Sequence, residues 1–491
     1  MKKKFFLVAA YAFALALQRG LLLIVIPFFT RSLSPDDFSI YSTWSALYLF
    51  FQIILGLGIE PAVNRLFHDY NNHKYLQASY LNSTLLCQWI FNPILALFVI
   101  FLFYLVVSHI KVDLVLTPYL YFVVGSVTFA KIVQTILSGL RASGQSIRFL
   151  LIAFSQFLLS SSLLIIFFFT QGLSGYSVFE SLLISNLIVA VAASLDQLLV
   201  MRKWTFRAKY YIISCKFGIF QLLGPIGNWL SSSASRLVVL FTLPLFAVGQ
   251  LQIAVVPMSL LVMFSMSVNS AFRPWLYSNY LKVVNTGSSS DMSLFNKKVK
   301  SFDSLLIFIF FSMFSCFSLF SAEIVALIAP DNNYYASIQL MPLATFSGFL
   351  YFQCSLFNRG LTLKKLPFKH AMTFFIPGIL SLPMYYIFAD LFGLIAIPVV
   401  NILISFSAIA LTLFFSRELS NNIKLLDFKT FLKINSLSSA LLCLSLSNFL
   451  LESSSLYYRS VFLFIFTSIA FVISFRGFTF FNQFSLFFRH K

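Results

Sequence analysis

A chain of 491 residues has room for several soluble domains, yet 59% of it is hydrophobic, only 10% is charged, and the mean hydropathy is +0.90. Soluble domains carry roughly a quarter charged residues, and 63 Phe with 21 Tyr is more apolar aromatic surface than a water-facing fold can hide, so the composition defines an integral membrane protein. The formal net charge of +19 does not point to nucleic acid, because Lys and Arg stand in short blocks between apolar runs, as the positive-inside rule produces them.

In chain order, Lys2-Lys3-Lys4 followed by Phe5 to Leu17 has the outline of a secretory signal peptide. The apolar run resumes after Arg19 and reaches Phe29, long enough to span a bilayer, which favours an uncleaved first helix over a cleaved signal. Runs of spanning length then fall near residues 39–59, 85–107, 118–139, 149–170, 178–200, 212–238 and 246–270. The second half gives 303–322, 339–358, 371–389, 392–415, 433–451 and 459–476. With residues 5–29 these make fourteen predicted transmembrane helices in an all-α integral membrane protein.

Charge tests that count independently. With the N-terminus inside, 27 of the 34 basic residues fall in cytoplasmic segments and three, Arg31, Lys111 and Arg459, in outer loops. A bias that survives fourteen alternations supports the helix count and places both termini in the cytoplasm. The outer loops are short, and the largest inner one, about 271–302, contains Gly287-Ser288-Ser289-Ser290 and separates the two halves. A weak internal echo links Leu33 to Tyr41, between spans one and two, with Leu243 to Leu251, between spans seven and eight. It permits a parallel repeat of six spans plus six.

Soluble-type chemistry is not legible. There is no GxxxxGK[ST] phosphate loop, hence no ATP site, and no Ser/His/Asp set shares a face. His68 and His73 share a polar loop with Asp69, which reads as a solvated loop before a metal site. Cys87, Cys215, Cys316, Cys354 and Cys443 lie inside or at the edges of apolar runs without a CxxC, so they read as small buried hydrophobes. The chain is expected to be no enzyme and to need no cofactor and no metal.

Polarity inside the spans is the informative feature. In the fourth, Thr128, Lys131, Gln134, Thr135 and Ser138 recur at three- and four-residue intervals and form one polar stripe. In the seventh, Gln221, Asn228, Ser232, Ser235 and Arg236 follow a similar rule around a Gly224-Pro225 break, and Gln18 and Arg19 sit near the middle of the first. A charge at a bilayer centre costs at least about 2.5–3.5 kcal/mol, so it faces a cavity or a partner. Lys216, near a cytoplasmic end, reads as snorkelling, whereas Arg19, Lys131 and Arg236 are the candidate substrate-binding cations, with Gln18, Thr128, Gln134, Thr135 and Asn228 as candidate polar lining. Glu60 and Asp196 lie at cytoplasmic helix ends and Glu180 at an outer end. Cations without midplane acids suggest an anionic substrate, a phosphate or acidic sugar.

Several stretches are similar to one family. Pro27 to Ser42, with Thr30-Arg31-Ser32-Leu33-Ser34-Pro35-Asp36-Asp37-Phe38, resembles the first-loop signature of the polysaccharide-exporter (O-antigen flippase, Wzx-type) family of the multidrug/oligosaccharidyl-lipid/polysaccharide (MOP) exporter superfamily. Leu57 to Arg65, Asn228 to Leu240, Phe320 to Tyr351 and Leu391-Phe392-Gly393-Leu394 resemble its second helix end, seventh helix, ninth-to-tenth linker and start of the twelfth helix. One departure is Ser235, where that family often places an acid before the helix-seven arginine.

The resemblance implies two six-helix bundles around a central cavity, residues 1–210 and 211–416, followed by two additional helices and a cytoplasmic tail in 417–491. It also implies alternating access in a bacterial inner membrane. The expected cargo is a polyprenyl-pyrophosphate-linked oligosaccharide, an O-antigen-like repeat unit of lipopolysaccharide biosynthesis. Membrane lipids and the polysaccharide polymerase machinery are the expected partners, and nucleic acid is not. A multidrug cation exporter or a peptidoglycan-precursor flippase of the same superfamily, and a membrane oligosaccharide polymerase, remain the alternatives. The last should carry a large outer loop, and the longest here, roughly 323–338, is short.

Overall fold

The computed structural model describes residues 26–70, 74–109, 118–172, 174–200, 205–286, 288–363, 366–416, 428–447 and 456–475. Among them every regular element is a helix. The chain divides into two compact units, an N-terminal one that ends at Gly249 and a C-terminal one that begins at Gln250.

In the N-terminal unit a helical segment at residues 26–32, α1, precedes α2 (Pro35–Gly56). Ser34 caps α2 by accepting the Asp37 N–H at 3.1 Å, Pro35 opens the first turn, and Asp36 and Asp37 lie at its positive end. Its 22 residues rise about 33 Å, enough to cross a hydrocarbon core. The helix stops where Leu57 (φ 45°) and Gly58 (φ 66°) turn left-handed, and α3 (Ile59–Leu66) leaves at a new angle. Gly58 is required there twice over. Its backbone is left-handed, and it packs directly on the backbone of Gly218, where an added Cβ would overlap the Gly218 carbonyl.

Next come α4 (Lys74–His109), α5 (Tyr119–Ala142), α6 (Ser146–Gln171) and α7 (Ser177–Val200). α5 is the hub, packed on α2, α3, α4, α6 and α7. Ile132, Val133, Ile136 and Leu137 of α5 are buried in one cluster with Leu81 and Leu85 of α4. By contrast α6 and the later part of α4 turn large apolar groups outward, Phe169 and Leu97 among them, as a lipid-facing surface does. The seventh predicted span is not one rod. It is α8 (Lys209–Ile219), a 3-10 turn at Phe220–Leu222, α9 (Leu223–Ser232) and α10 (Ala234–Thr242). Pro225 follows the tightened turn, consistent with the Gly-Pro break read from sequence.

α11 (Phe246–Thr286) leads into the C-terminal unit and is followed by α12 (Ser289–Leu319). The segment expected as an inner loop, about 271–302, is therefore largely helical. Ser288 caps α12 by accepting the Asp291 N–H. Phe272, Leu276, Phe295 and Val299 pair the two helical extensions in a core of their own. α13 (Ser321–Ile328), α14 (Ala336–Phe357), α15 (Arg359–Leu363), α16 (Pro367–Phe392) and α17 (Ala396–Ser416) continue the unit. α18 (Phe428–Leu446) and α19 (Leu456–Phe475) pack on α12, and α18 also on α14, so both belong to this unit's core. That core is aromatic: Phe310 and Phe352 stack at 3.8 Å, and Phe311, Phe314, Phe346 and Phe349 surround them.

Each of the thirteen predicted spans after the first has a helix; of the first, predicted at 5–29, the described residues include 26–29 alone. Nine helices among the described residues are long and apolar enough to cross a membrane, and two shorter apolar ones lie at Phe431–Leu446 and Tyr458–Ser474. The protein is an all-α, multi-pass membrane protein.

Candidate functional site

α5 carries the polar stripe expected of the fourth span, and the structure divides it by use. Thr128 and Thr135 are buried, and their hydroxyls donate to the carbonyls of Val124 and Lys131 one turn back, at 2.7 and 3.0 Å. These two are satisfied by their own helix. Lys131 is half-buried; its Nζ donates to Gln134 Oε1 at 2.7 Å. Its stem lies against Gly56, where a Cβ would approach Lys131 Cε to 3.2 Å. The ammonium is thus held beside the carbonyl end of α2, where the helix dipole favours a cation. Ser138 accepts from Asn64 of α3 at a long 3.5 Å.

Arg236 lies on α10, 8% exposed, and its Nη1 donates to Ser45 Oγ of α2 at 3.2 Å. Three arginines are buried among the described residues: Arg236, Arg359 and Arg459. The other two pair with carboxylates, and Arg236 has no carboxylate partner among the described residues. Asn228, on α9, is half-buried, and its carbonyl accepts from Ser232 Oγ at 2.7 Å. Trp229 beside it fixes the broken helix by donating from Nε1 to the Ala46 carbonyl at 2.8 Å. Gln18 and Arg19 lie outside the described residues.

Lys131 and Arg236 both touch α2, but at Gly56 and at Ser45, which the helical rise sets about 16 Å apart. They are two separate positive positions along one helix and cannot grip the same phosphate together.

The C-terminal unit holds a polar cluster that sequence reasoning missed. Arg359 on α15 donates from Nη1 to Asp303 Oδ1 on α12, and from Nε and Nη2 to Asn269 Oδ1 on α11 at 3.1 and 2.8 Å. Its guanidinium lies 5.0 Å from the centroid of the Phe272 ring. Asn269 Nδ2 in turn donates to Ser355 Oγ at 3.1 Å. Asp303 is the one buried carboxylate among the described residues. In the sequence Asp303 opens the ninth span and Arg359 closes the tenth, so each counts as an ordinary inner-end charge. Their separation of 56 residues gives no periodic signal that could join them. A second pair, Arg459 with Glu323, ties α19 to α13, so the arginine counted as an outer-loop charge is buried.

The remaining expectations place as follows. Asp69 pairs with Arg65 at 2.7 Å, and no group of three metal-ligating side chains occurs among the described residues. Cys87 and Cys354 are buried, Cys215 and Cys316 half-buried, and Cys443 exposed. Cys443 thus departs from the reading as a buried hydrophobe, since a span can present an apolar face to lipid as well as to the core.

No family model and no curated sequence matches the chain. Solved membrane-protein structures share its fold. The lipid II flippase MurJ in an inward closed conformation is similar at TM-score 0.67 and 15% identity, over 99% of this chain and 99% of that one. The eukaryotic MATE transporter AtDTX14 is similar at TM-score 0.60 and 13% identity, over 90% of this chain and 98% of that one. An inward-facing MATE multidrug transporter of the MOP superfamily matches at TM-score 0.61 and 13% identity, over 87% of this chain and 95% of that one.

Proposed function

We propose that the protein is a flippase that moves a polyprenyl-pyrophosphate-linked oligosaccharide, an O-antigen-like repeat unit, across a bacterial inner membrane by alternating access. The observation that carries this reading is Arg236, a buried guanidinium without a carboxylate partner among the described residues. A buried cation left without an anion is costly, and an anionic cargo passing its position supplies one. Arginine can grip two phosphate oxygens at once, and a lysine adds a point charge. Arg236 and Lys131, about 16 Å apart along α2, then serve successive positions of the headgroup, with Arg19 as a third cation. On the same reading both termini are cytoplasmic, the partition is six helices, six helices and two, and the polymerase machinery receives the cargo.

Two features support a lipid-linked cargo over a multidrug cation. The similarity to the lipid II flippase runs over 99% of this chain, against 87–90% for the two MATE transporters described above. The one buried carboxylate among the described residues is already engaged by Arg359. The first of these observations also favours a second reading, a peptidoglycan-precursor flippase. Deletion separates the readings. Loss of an O-antigen-type exporter traps lipid-linked repeat units in the cytoplasmic leaflet while their synthesis continues and the wall is intact. Loss of a peptidoglycan-precursor flippase stops wall synthesis. Repeat units that reach the outer leaflet at normal rates, with no redundant exporter present, overturn the proposal.

A further inference from the structure

α4 carries two carboxamides that the N-terminal unit does not satisfy. Gln88 is 1% and Asn92 0% exposed, and neither the oxygen nor the nitrogen of either amide has a hydrogen-bond partner among the described residues. The two stand four residues apart, on one face and one turn from each other. Pro93 follows immediately, inside the helix. It has no N–H to offer, so the Trp89 carbonyl one turn back receives no donor from the helix. Two carboxamides and one main-chain oxygen are thus left open on a single turn, within a helix long and apolar enough to cross a bilayer.

Buried polar groups in folded proteins are nearly always paired, with protein or with ordered water. The chemistry of this set decides what can pair with it. α4 contains no Asp or Glu, and a divalent cation would need carboxylates. A bare alkali ion would use the oxygens and leave both NH2 groups as they are. A guest that donates and accepts at once meets oxygens and nitrogens together, and it must be small to lie between side chains this buried. Water does both, and buried waters characteristically make two to four such bonds.

We infer that Gln88, Asn92 and the Trp89 carbonyl form a buried hydration site at the Pro93 turn of α4. Water held there satisfies the carbonyl that proline releases, as ordered waters do in other proline-containing transmembrane helices, and lets the helix change its bend at that turn without presenting a bare carbonyl to apolar surroundings. The site stands independently of the cargo.

The test uses the full-length protein in lipid nanodiscs, with hydroxyl radicals generated from water in place by X-rays. Bound water oxidises its immediate neighbours, so the wild-type segment around Trp89 and Pro93 is labelled, and in the Gln88→Leu, Asn92→Leu variant that label falls to background. Thermal unfolding is read beside it. Each leucine alone lowers the midpoint, and the pair lowers it little further, because one hydration site is lost in every case. An unlabelled wild-type segment overturns the inference, and that arm needs no variant to fold. Leucines that raise the midpoint also overturn it, by showing a dry pair. Replacing sodium and potassium by choline is the last arm. A midpoint that depends on the alkali ion in wild type and not in the double variant assigns the site to a cation and overturns water.

Discussion

Replacing Arg359 by glutamine removes the one charge that compensates Asp303. The wild-type guanidinium makes one hydrogen bond to Asp303 and two to Asn269, and it lies over Phe272. Asp303 itself is 0% exposed, with Oδ2 unpartnered among the described residues. Deleting one partner of a buried ion pair costs about 3–5 kcal/mol, because the other charge is left stranded. Asp303→Asn strands the buried Arg359 cation in turn, but Arg359 keeps both Asn269 bonds and the Phe272 face, so its loss lies at the low end of the same range, about 3 kcal/mol. The double variant strands no charge, so its loss falls short of the sum of the singles by about 2 kcal/mol, within the range for neighbours in one network. Equilibrium unfolding of the purified protein in mild detergent, run as a double-mutant cycle, reads this coupling. Singles that add to within about 0.5 kcal/mol, or an Arg359→Gln loss below about 1 kcal/mol as for an exposed pair, refute the argument.

Other outcomes follow from the same geometry. Gly218→Ala places a Cβ 2.5 Å from the Leu57 and Gly58 carbonyls and should cost about 1–3 kcal/mol by overpacking, with Gly58→Ala costing about 1–2 kcal/mol more for its left-handed backbone; thermal midpoints check both. Arg236→Ala should lower export about tenfold or more at unchanged membrane-inserted protein, since one charged hydrogen bond is worth about 1.5–3 kcal/mol, and Arg236→Lys should keep part of it. A loss of export that only tracks loss of inserted protein would make Arg236 a helix anchor. Lys131→Arg should be tolerated better than Lys131→Ala or Lys131→Gln in the same export assay. Phosphatase fusions should be inactive after residue 285 and active after residues 174 and 331, and activity at 285 would reverse the assigned topology.

The helices were legible because each needs only a run of apolar residues, and charge blocks gave their alternation a second reading. The break in the seventh was legible too, since Gly224-Pro225 announces it. The helical extensions of α11 and α12 were not, because their apolar partners, Phe272 and Phe295 among them, lie on separate helices across a Gly-Ser stretch. Arg359 and Asp303 escaped for a related reason: each sits at the end of its own span, and only folding makes them one buried pair. Thr128 and Thr135 looked like cavity lining by spacing, yet local bonding to the helix backbone uses their hydroxyls, an outcome that periodicity does not distinguish. Arg236 was visible as an intramembrane cation, whereas its contact with Ser45 depends on the packing of α10 against α2.

The central claim is that the protein carries an anionic, lipid-linked sugar across a bilayer. The direct measurement reconstitutes the purified chain in proteoliposomes with a polyprenyl-pyrophosphate-linked oligosaccharide in one leaflet and follows its appearance in the other. The account predicts protein-dependent transfer without ATP, lost in the well-folded Arg236→Ala variant and not competed by multidrug cations. Transfer no faster than in protein-free vesicles, at a protein density that gives folded, correctly inserted chains and across an imposed membrane potential or ion gradient, would contradict it.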